Sequence, residues 1–535
     1  MVTENETFHR TGPSRRALTA GFAALAAGGL GGPLAGRATA ATPPGPAGAP
    51  TVVPALREWT GAQGTFEVTP ATRVVVPHGD ARLLALARAF TTELEETTGL
   101  RLRRPGSAGH RPRAGEITLA VDPSDHHPRG GERYRDEGSR LTVTPRHVSV
   151  TGPAYAGVVW ATRSLLQILT GSPRGDALPA GTAVDWPAYA RRGFMLDVGR
   201  RWFSPAFLRD YIRVLSWYKF NDFQIHLNDN EIEPPDGDWS RAQCAFRLAS
   251  DDPAWAGLAA ADGSFDRATW DGFEDLAALH AVRLTPEIDA PAHSLAFVRF
   301  RPDIGLDGGA SDHLDLANPA ATAFMKDLFT HFTPWFRSPV VHYGADEYGG
   351  PVEQYRGYFN AMAAHLRGLG KQPAAWGSLG RIGGTADGYD KSVRMYSWSN
   401  GWYGPRAIRK DGFEYLNIND ATLYIVPFAD YYHGDGLDGR YLYDEWAPHV
   451  FPDGQSVPPG DPALHGALFA VWNDLVHEDY DELDVHGLVE GTLGVLAQKM
   501  WAAAPAPGTG YDAFQERVAA LGLGPGLERV RNTSG

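Results

Sequence analysis

The sequence predicts an α/β fold, in which a (β/α)8 TIM barrel follows a smaller α+β accessory domain. The chain has 535 residues, which is enough for two or three domains of ordinary size. After Trp186-Pro187, segments typical of strands alternate with segments typical of helices, as parallel βα units require. The candidate strands number eight, which is the number that closes this barrel: residues 193–198, 222–227, 282–288, 340–343, 373–376, 394–396, 414–417 and 467–472.

The first segment, residues 1–40, has the features of a twin-arginine-type signal peptide. Arg15 and Arg16 precede an uncharged run rich in Ala, Gly and Leu, and residues 38–40 (ATA) are small enough for signal cleavage. Because the run is too weakly hydrophobic for a stable membrane span, a retained anchor is the less favoured alternative. We expect a secreted protein with no membrane span after cleavage, and a flexible Pro/Gly/Ala-rich linker at residues 41–54.

The α+β accessory domain is predicted over residues 55–187. Short β-type runs at 72–76, 116–120 and 141–150 alternate with helical patterns at 82–97 and 155–169. The loops between them are charged and rich in Gly and Pro, and they contain no paired catalytic groups. We therefore interpret this segment as a supporting domain.

The catalytic domain is predicted over residues 188–505. Ser204-Pro205 and Asn318-Pro319 each supply an N-cap and a proline at the first position of a helix, the second of which is expected over residues 320–336. The alternative fold, a doubly wound open sheet, would carry a Gly-rich phosphate turn after its first strand, and LDVGR at 196–200 is not such a turn. Residues 506–535 are predicted to form a helix near 513–521 and a tail.

Composition and charge exclude several classes of function. There are 49 Lys and Arg residues against 63 Asp and Glu, so the net charge of −14 disfavours nucleic acids as partners. Cys244 is the only cysteine, which rules out an intramolecular disulfide and a thiolate metal cluster. The 15 Trp, 20 Tyr and 24 Phe residues fit either an aromatic core or a carbohydrate site, and composition alone favours the core.

Acidic and tryptophan residues follow the predicted strands at the point where each strand ends. In a (β/α)8 barrel the active site lies at these carboxyl ends, so the residues are expected to meet at one rim. Burying so many carboxylates is costly unless they bind a ligand. The residues are Asp197, Asp229, Asp289, His293, Asp346, Glu347, Trp376, Trp398, Trp472 and Asp474.

The adjacent acids Asp346 and Glu347 are the most informative pair. Like charges held close together raise at least one pKa, so that one carboxyl can stay protonated near neutrality and act as a general acid. Retaining glycosidases use a second carboxylate about 5–5.5 Å away as the nucleophile. Because the side chains of immediate neighbours diverge, Asp346 is expected to position another group instead.

Four motifs in order along the chain resemble those of glycoside hydrolase family 20, the β-N-acetylhexosaminidases and lacto-N-biosidases. They are RRGFMLD at 191–197, HLND at 226–229, PEIDAPAH at 286–293 and HYGADE at 342–347. The resemblance extends over about residues 52–501, since the α+β segment is similar to the accessory domain of the family. It implies substrate-assisted retention, in which the 2-acetamido oxygen of the sugar attacks the anomeric carbon and forms an oxazolinium ion.

The resemblance also implies roles for individual residues. Glu347 would be the general acid and base, Asp346 would accept the acetamido N–H, and Tyr424 would donate to the acetamido oxygen. The other implied substrate contacts are Arg192 on sugar hydroxyls, Asp289 and His293 beside the acid pair, Trp376, Trp398 and Trp472 as the pocket wall, and Asp474 in place of the usual glutamate. No cofactor or metal is expected, because His226, His293 and His342 lie on separate strand ends without a His-Glu-x-x-His pattern.

The expected function is that of an exported β-N-acetylhexosaminidase acting on oligosaccharides or glycoconjugates with terminal β-linked GlcNAc or GalNAc. Val426, Asp474 and Ala292 depart from the family pattern, and the runs HLNDN and GADEY are closer to the lacto-N-biosidase-like branch. The alternative is therefore a lacto-N-biosidase-like enzyme that releases Gal-β1,3-GlcNAc, although Arg192 favours release of a single sugar. An inactive carbohydrate-binding barrel is a further alternative, disfavoured because Glu347 and Tyr424 are both present.

Overall fold

The computed structural model describes residues 48–108, 112–522 and 524–526. The predicted signal peptide at 1–40, the first part of the linker and the end of the C-terminal tail lie outside these residues. Within the described ranges, no helix combines the length and the apolar character that crossing a membrane requires.

The accessory domain is a mixed seven-stranded sheet with helices packed on it, in the strand order β1-β7-β5-β6-β4-β2-β3. Its strands are β1 Glu58–Glu67, β2 Arg73–Pro77, β3 Arg103–Ala108, β4 Glu116–Val121, β5 Ser139–Val143, β6 Val148–Gly152 and β7 Ala177–Asp185. Its helices are α1 Ala81–Thr98, α2 Gly131–Glu137 and α3 Tyr155–Thr170. The run predicted as one strand at 141–150 is two antiparallel strands, because a turn in which Thr144 N donates to His147 O separates them.

The catalytic domain is a closed barrel of eight parallel strands. Around the ring they are β8 Arg191–Asp197, β9 Asp222–His226, β12 Arg283–Ala290, β13 Val340–Gly344, β14 Gln372–Trp376, β15 Arg394–Ser397, β16 Tyr415–Asn417 and β18 Leu464–Val471, with β18 pairing back to β8. The short strands β10 Asn228–Asn230 and β11 Cys244–Phe246 pair with each other, and β17 Tyr424–Ile425 lies along β18. The predicted fold class is confirmed, and the eight predicted strands differ from the observed ones only near their ends.

Helices cover the outside of the barrel. They are α4 Pro205–Trp217, α5 Arg267–Leu279, α6 Leu295–Phe300, α7 Pro319–Phe332, α8 Val352–Gly368, α9 Leu379–Gly383, α10 Asn400–Tyr403, α11 Pro405–Lys410, α12 Asp420–Leu423, α13 Gly439–Asp444, α14 Glu482–Ala502 and, beyond the barrel, α15 Tyr511–Ala520. The predicted caps are present, since Ser204 accepts from Phe207 N and Asn318 from Ala320 N. Helix α7 ends earlier than predicted because the chain tightens into a 3-10 turn at Thr333–Trp335, which contains a proline.

The accessory domain closes the amino-terminal end of the barrel through buried polar contacts. Lys219 Nζ lies 2.8 Å from Asp185 Oδ2, and Trp501 of α14 donates to the same carboxylate over 3.0 Å. The segment before β1 joins this contact, because Ala55 N donates to Gln498 Oε1 over 2.8 Å. The accessory domain thus covers the base of the barrel, and the carboxyl end stays open to solvent.

Candidate active site

A cavity of about 500 Å³ opens at the carboxyl end of the barrel strands. Such a volume accommodates a sugar-sized ligand. Most of the acids predicted at the strand ends line it, together with aromatic residues from the loops. The lining residues are Arg200, Asp229, Ile232, Asp289, His293, Asp346, Glu347, Trp398, Tyr424, Tyr431, Tyr432, Trp472 and Asp474.

The chain turns sharply where β13 ends, and this turn places the acid pair. Gly344, Ala345 and Glu347 have φ values of 71°, 71° and 47°, in the left-handed region that costs most residues free energy. A Cβ at Gly344 would lie 1.6 Å from Asp289 Oδ1, so only glycine fits there. The turn therefore brings the backbone of β13 against Asp289 and directs both acids into the cavity.

Glu347 is the end of a chain of hydrogen-bonding side chains. His293 Nε2 lies 3.3 Å from Glu347 Oε2, and His293 Nδ1 lies 3.0 Å from Asp229 Oδ1. Burial alone would lower the pKa of His293, but Asp229 and Glu347 raise it well above the ordinary value. Burial would likewise raise the pKa of Glu347, but the hydrogen bond and charge of His293 lower it. In the ligand-free site Glu347 is thus ionised and paired with a protonated imidazole.

Asp346 and Asp289 hold a proton between them. Their carboxyls share a hydrogen bond, and burial together with the charges of Glu347 and Glu287 raises the pKa of Asp346 to about 7. Burial and the charge of Asp346 raise the pKa of Asp289 well above its ordinary value. His293 Nε2 is 3.9 Å from Asp346 Oδ2, so it stands between the protonated pair and Glu347.

Arg200 is an arginine that lines the cavity, and the sequence prediction missed it. Its Nη1 lies 2.8 Å from Asp229 Oδ2, 3.1 Å from Asp197 Oδ2 and 3.4 Å from Asp474 Oδ1. Tyr431 completes this wall of the cavity, since its hydroxyl donates to Asp474 Oδ2 over 3.1 Å. The guanidinium and the Asp474 carboxylate can together donate to and accept from sugar hydroxyls.

The prediction that Arg192 holds substrate is wrong. Arg192 is at the start of β8, at the sealed end of the barrel, and its Nη2 lies 2.6 Å from Glu137 Oε2 of the accessory domain. Its Nε donates to Lys219 O over 3.0 Å. The rule that strand ends carry function could have found the correct arginine, because Arg200 follows the carboxyl end of β8 and Arg192 precedes it.

Three of the aromatic side chains that line the cavity form one apolar part of its wall: Tyr424, Trp398 and Trp472. Trp472 lies centrally, with ring centroids 5.7 Å from Tyr424 and 5.6 Å from Trp376. Trp376 does not line the cavity as expected, because it is buried beneath Trp472 and donates its Nε1–H to Glu287 Oε1 over 2.6 Å. It supports the wall from below.

Loop residues whose positions could not be predicted also reach the cavity. Ile232, Tyr431 and Tyr432 are 50%, 40% and 45% exposed, which is unusual for large side chains with apolar surface. Tyr431 and Tyr432 follow β17, and Ile232 follows β10. No strand end or helical period marks these positions, so only the folded loops identify them.

Within the described part of the chain, three groups of buried or half-buried acids and histidines bring potential metal-ligand atoms within 4.8 Å of one another. His226 belongs to two of them, yet its nitrogens lie 2.7 Å from Asp229 Oδ2 and 3.1 Å from Glu287 Oε2. Burial would lower the pKa of His226, but both carboxylates raise it well above the ordinary value. Hydrogen bonding to these two carboxylates accounts for the contacts of His226.

Comparison with known proteins identifies the family. Residues 49–186 match the model of glycosyl hydrolase family 20, domain 2, and residues 189–356 match that of the family 20 catalytic domain. The chain is 28% identical over 493 residues to Beta-N-acetylhexosaminidase from Cellulomonas fimi, covering 87% of this chain and 92% of the relative. It is 24% identical over 454 residues to Lacto-N-biosidase from Bifidobacterium bifidum, covering 79% of this chain and 37% of the relative.

A further relative and a solved structure fit the same pattern. Beta-hexosaminidase from Akkermansia muciniphila is 26% identical over 298 residues, 49% of this chain and 58% of that protein. The chain thus spans less than two thirds of two of these curated relatives. A mutant Streptomyces plicatus beta-hexosaminidase, solved with its product GlcNAc, has the same fold, with a TM-score of 0.72, 21% identity and coverage of 91% and 96% of the two chains. The two family matches together cover more than half of the 535 residues, and the chain belongs to glycoside hydrolase family 20.

Proposed function

We propose that this protein is a retaining β-N-acetylhexosaminidase that removes terminal β-linked GlcNAc or GalNAc by substrate-assisted catalysis. The arrangement of Asp346 and Glu347 around His293 carries the proposal. Glu347 reaches solvent with a side chain 41% exposed, as a group that meets a leaving oxygen must. Asp346 is 12% exposed and lies deeper in the cavity, which Tyr424 also lines, where a 2-acetamido group would sit.

Glu347 is ionised in the ligand-free site, so it must gain a proton before it can act as the general acid. An acetamido N–H donated to Asp346 favours its ionised form, so the proton shared with Asp289 is released. His293 Nε2 can give its proton to Glu347 and take up the one that Asp346 loses, since it lies 3.3 Å and 3.9 Å from the two carboxylates. Asp229 stabilises the imidazolium throughout.

Catalysis then proceeds in two steps. Glu347 protonates the leaving oxygen while the acetamido oxygen, held by the Tyr424 hydroxyl, attacks the anomeric carbon and the glycosidic bond breaks. The oxazolinium ion carries positive charge, which ionised Asp346 stabilises. Glu347, now ionised, removes a proton from water as that water opens the ring, and the acid is regenerated.

Two measurements test this mechanism. An aryl β-glucoside, which has a 2-hydroxyl in place of the acetamido group, should react orders of magnitude more slowly than aryl β-GlcNAc. Glu347→Gln should reduce kcat at least about 10²-fold on substrates with poor leaving groups and leave binding nearly intact. Comparable rates on the two sugars, a trapped glycosyl–carboxylate adduct or a fully active Glu347→Gln variant would exclude it.

Release of a disaccharide is the second candidate, and a specific cavity favours it. A space of about 480 Å³ continues past Ile232, Tyr431 and Asp474, and Glu231, Glu233 and His477 line its far side. A second sugar could bind there. The hydrogen bond between Tyr431 and Asp474 lies between this space and the catalytic cavity. Release of a single sugar therefore remains the first candidate.

Lacto-N-tetraose distinguishes the two candidates. A disaccharide-releasing enzyme yields Gal-β1,3-GlcNAc directly, whereas the proposed enzyme yields no product until a galactosidase has removed the terminal galactose. Product analysis before and after that treatment decides between them.

We also propose that the protein is exported through its N-terminal segment. The motif around Arg15 and Arg16 and the small residues at 38–40 support this proposal. Replacing both arginines with Lys should keep the protein inside the producing cell. Unchanged secretion of this variant would contradict the proposal, and N-terminal sequencing of the wild-type protein would locate the cleavage site.

A further inference from the structure

A second cavity, of about 480 Å³, lies at the opposite end of the barrel, between the two domains. Helices α1, α2 and α3 of the accessory domain form one side, and the first residues of β8 and β12 form the other. The charged residues that line it are Arg82, Arg133, Asp136, Glu137, Arg191 and Arg283. Arginines therefore outnumber acids four to two in this lining.

The nearby carboxylates are already committed to other partners. Glu137 accepts from Arg192 over 2.6 Å and 3.1 Å and from Trp160 Nε1 over 2.9 Å. Asp222, beside the cavity, pairs with Arg283 and accepts from Thr285 Oγ1 over 2.6 Å. Asp136 is exposed and lies 3.3 Å from Arg135 Nε and 3.9 Å from Arg133 Nη2. These acids leave the cavity with positive charge that is not neutralised.

Arg191 contributes to this positive charge. Its Nε is buried, and its side chain has no hydrogen bond or ion pair to any residue of the described ranges. Burial and the charges of Arg283 and Arg394 lower the pKa of Arg191 to about 10, although Asp222 and Glu137 act in the opposite direction. Arg283 Nε and Nη1 are also buried without a hydrogen-bond partner.

Buried guanidinium N–H groups that lack an acceptor, such as Nε of Arg191 and of Arg283, are costly unless a ligand satisfies them. Removing a charge from water costs several kcal/mol when no counter-charge replaces the solvent. Arginine binds oxyanions with two parallel N–H donors, and such charge-assisted bonds are about twice as strong as neutral ones. An oxyanion between Arg191 and Arg283 would satisfy both side chains at once.

We propose that this cavity binds a tetrahedral oxyanion, held by Arg191 and Arg283 of the barrel and by Arg82 of the accessory domain. Arg82 has no carboxylate within ion-pairing distance among the described residues, and its guanidinium lies 3.6 Å from the ring centroid of Tyr155. The hydroxyl of Tyr155 in turn donates to Leu279 O of the barrel over 2.7 Å. The bound anion therefore bridges the two domains and stabilises their contact, at a site remote from the sugar cavity.

The volume leaves room for more than an inorganic ion, so the anion has two sources to distinguish. Inorganic sulfate is one probe, and glucose 6-sulfate is the other. Glucose 6-sulfate lacks the 2-acetamido group that the proposed catalytic site recognises, so it should bind weakly in the catalytic cavity. A larger effect of glucose 6-sulfate than of sulfate identifies a sulfated sugar as the occupant, whereas equal effects identify the free anion.

Thermal unfolding and calorimetric titration of the full chain test the proposal. Sulfate should raise the Tm of the wild-type protein beyond the effect of chloride at the same ionic strength. Arg191→Gln should weaken sulfate binding at least about 10-fold, as expected for the loss of a charge-assisted pair. Arg101→Gln changes an arginine that is 82% exposed on the accessory domain, and it should bind sulfate as the wild type does.

A second variant keeps the test decisive if Arg191→Gln does not fold. Arg82 is exposed, so Arg82→Gln should fold and lose part of the sulfate-dependent rise in Tm. Equal sulfate effects in the wild type, Arg191→Gln and Arg82→Gln would overturn the proposal. So would a wild-type protein that responds to sulfate no more than to chloride.

Discussion

The pKa of Asp346, raised to about 7, links the activity of the site to pH. The proton that Asp346 shares with Asp289 is the one that prepares Glu347, so the free enzyme is competent while that proton is bound. As pH rises through about 7, Asp346 loses its proton, and kcat/KM, which reports on the free enzyme, should decline. A pH profile of kcat/KM on aryl β-GlcNAc measures this. A flat profile between about pH 6 and pH 9 would contradict the assignment.

Asp346→Asn should lose activity and gain stability in a pH-dependent way. The folded state raises the pKa of Asp346 from 3.8 to about 7, so this residue destabilises the fold as pH rises between those values. The effect reaches up to about 4 kcal/mol at pH 8 and vanishes below pH 4. The neutral Asn variant should therefore have a higher Tm than wild type at pH 8 and nearly the same Tm at pH 4. Its kcat should fall about 10²-fold or more, because no charge stabilises the oxazolinium ion.

Arg200 and Arg192 provide a matched pair of substitutions. Both side chains are buried in ion pairs, so Arg200→Gln and Arg192→Gln should each destabilise the protein by about 3–5 kcal/mol. Only Arg200 reaches the sugar cavity, so only its substitution should reduce kcat/KM, by about 10-fold or more. Urea unfolding and steady-state kinetics of the folded protein measure the two effects. A larger kinetic effect at Arg192 would restore the role expected from the sequence.

At the scale of elements, the loop after β17 orients the outer wall of the cavity. Tyr431→Phe removes the hydroxyl that binds Asp474. It should raise KM by about 2- to 10-fold with little change in kcat, which is the effect expected from the loss of one hydrogen bond. Tyr432→Phe is the control, because no hydrogen bond from its hydroxyl to another described residue is observed. Steady-state kinetics on aryl β-GlcNAc compare them. Equal KM values for the two variants would exclude a role for the Tyr431 hydroxyl.

The elements of the barrel could be predicted because buried parallel strands are continuous apolar runs with polar residues at their carboxyl ends. By contrast, β1 of the accessory domain alternates Gly, Gln, Thr and Glu and is largely exposed, so no hydrophobic pattern reveals it. The same contrast holds in the site. Asp346 and Glu347 stand directly after a predictable strand, whereas Ile232 and Tyr431 depend on loop conformations that local sequence does not determine.

At the scale of the whole molecule, Glu137 connects the two domains and controls their stability. Glu137→Gln leaves Arg192 without its charged partner, so unfolding should require about 3–5 kcal/mol less free energy. Activity of the remaining folded enzyme should be unchanged, because Glu137 lies at the end of the barrel opposite to the cavity. Glu132→Gln, on the exposed face of the same helix α2, is the control and should unfold like the wild type. Equal urea midpoints for both variants would contradict this role.

The pairing of β18 with β8 and the bond between Ala55 and Gln498 have a consequence for biosynthesis. A nascent chain that leaves the ribosome cannot close the barrel until β18 has emerged, and cannot seal its base until α14 follows. Until then the edge of β8 is unpaired, and an unpaired strand edge promotes aggregation. Proteolytic fragments or prematurely terminated chains that end before residue 464 should therefore aggregate more readily than the full chain.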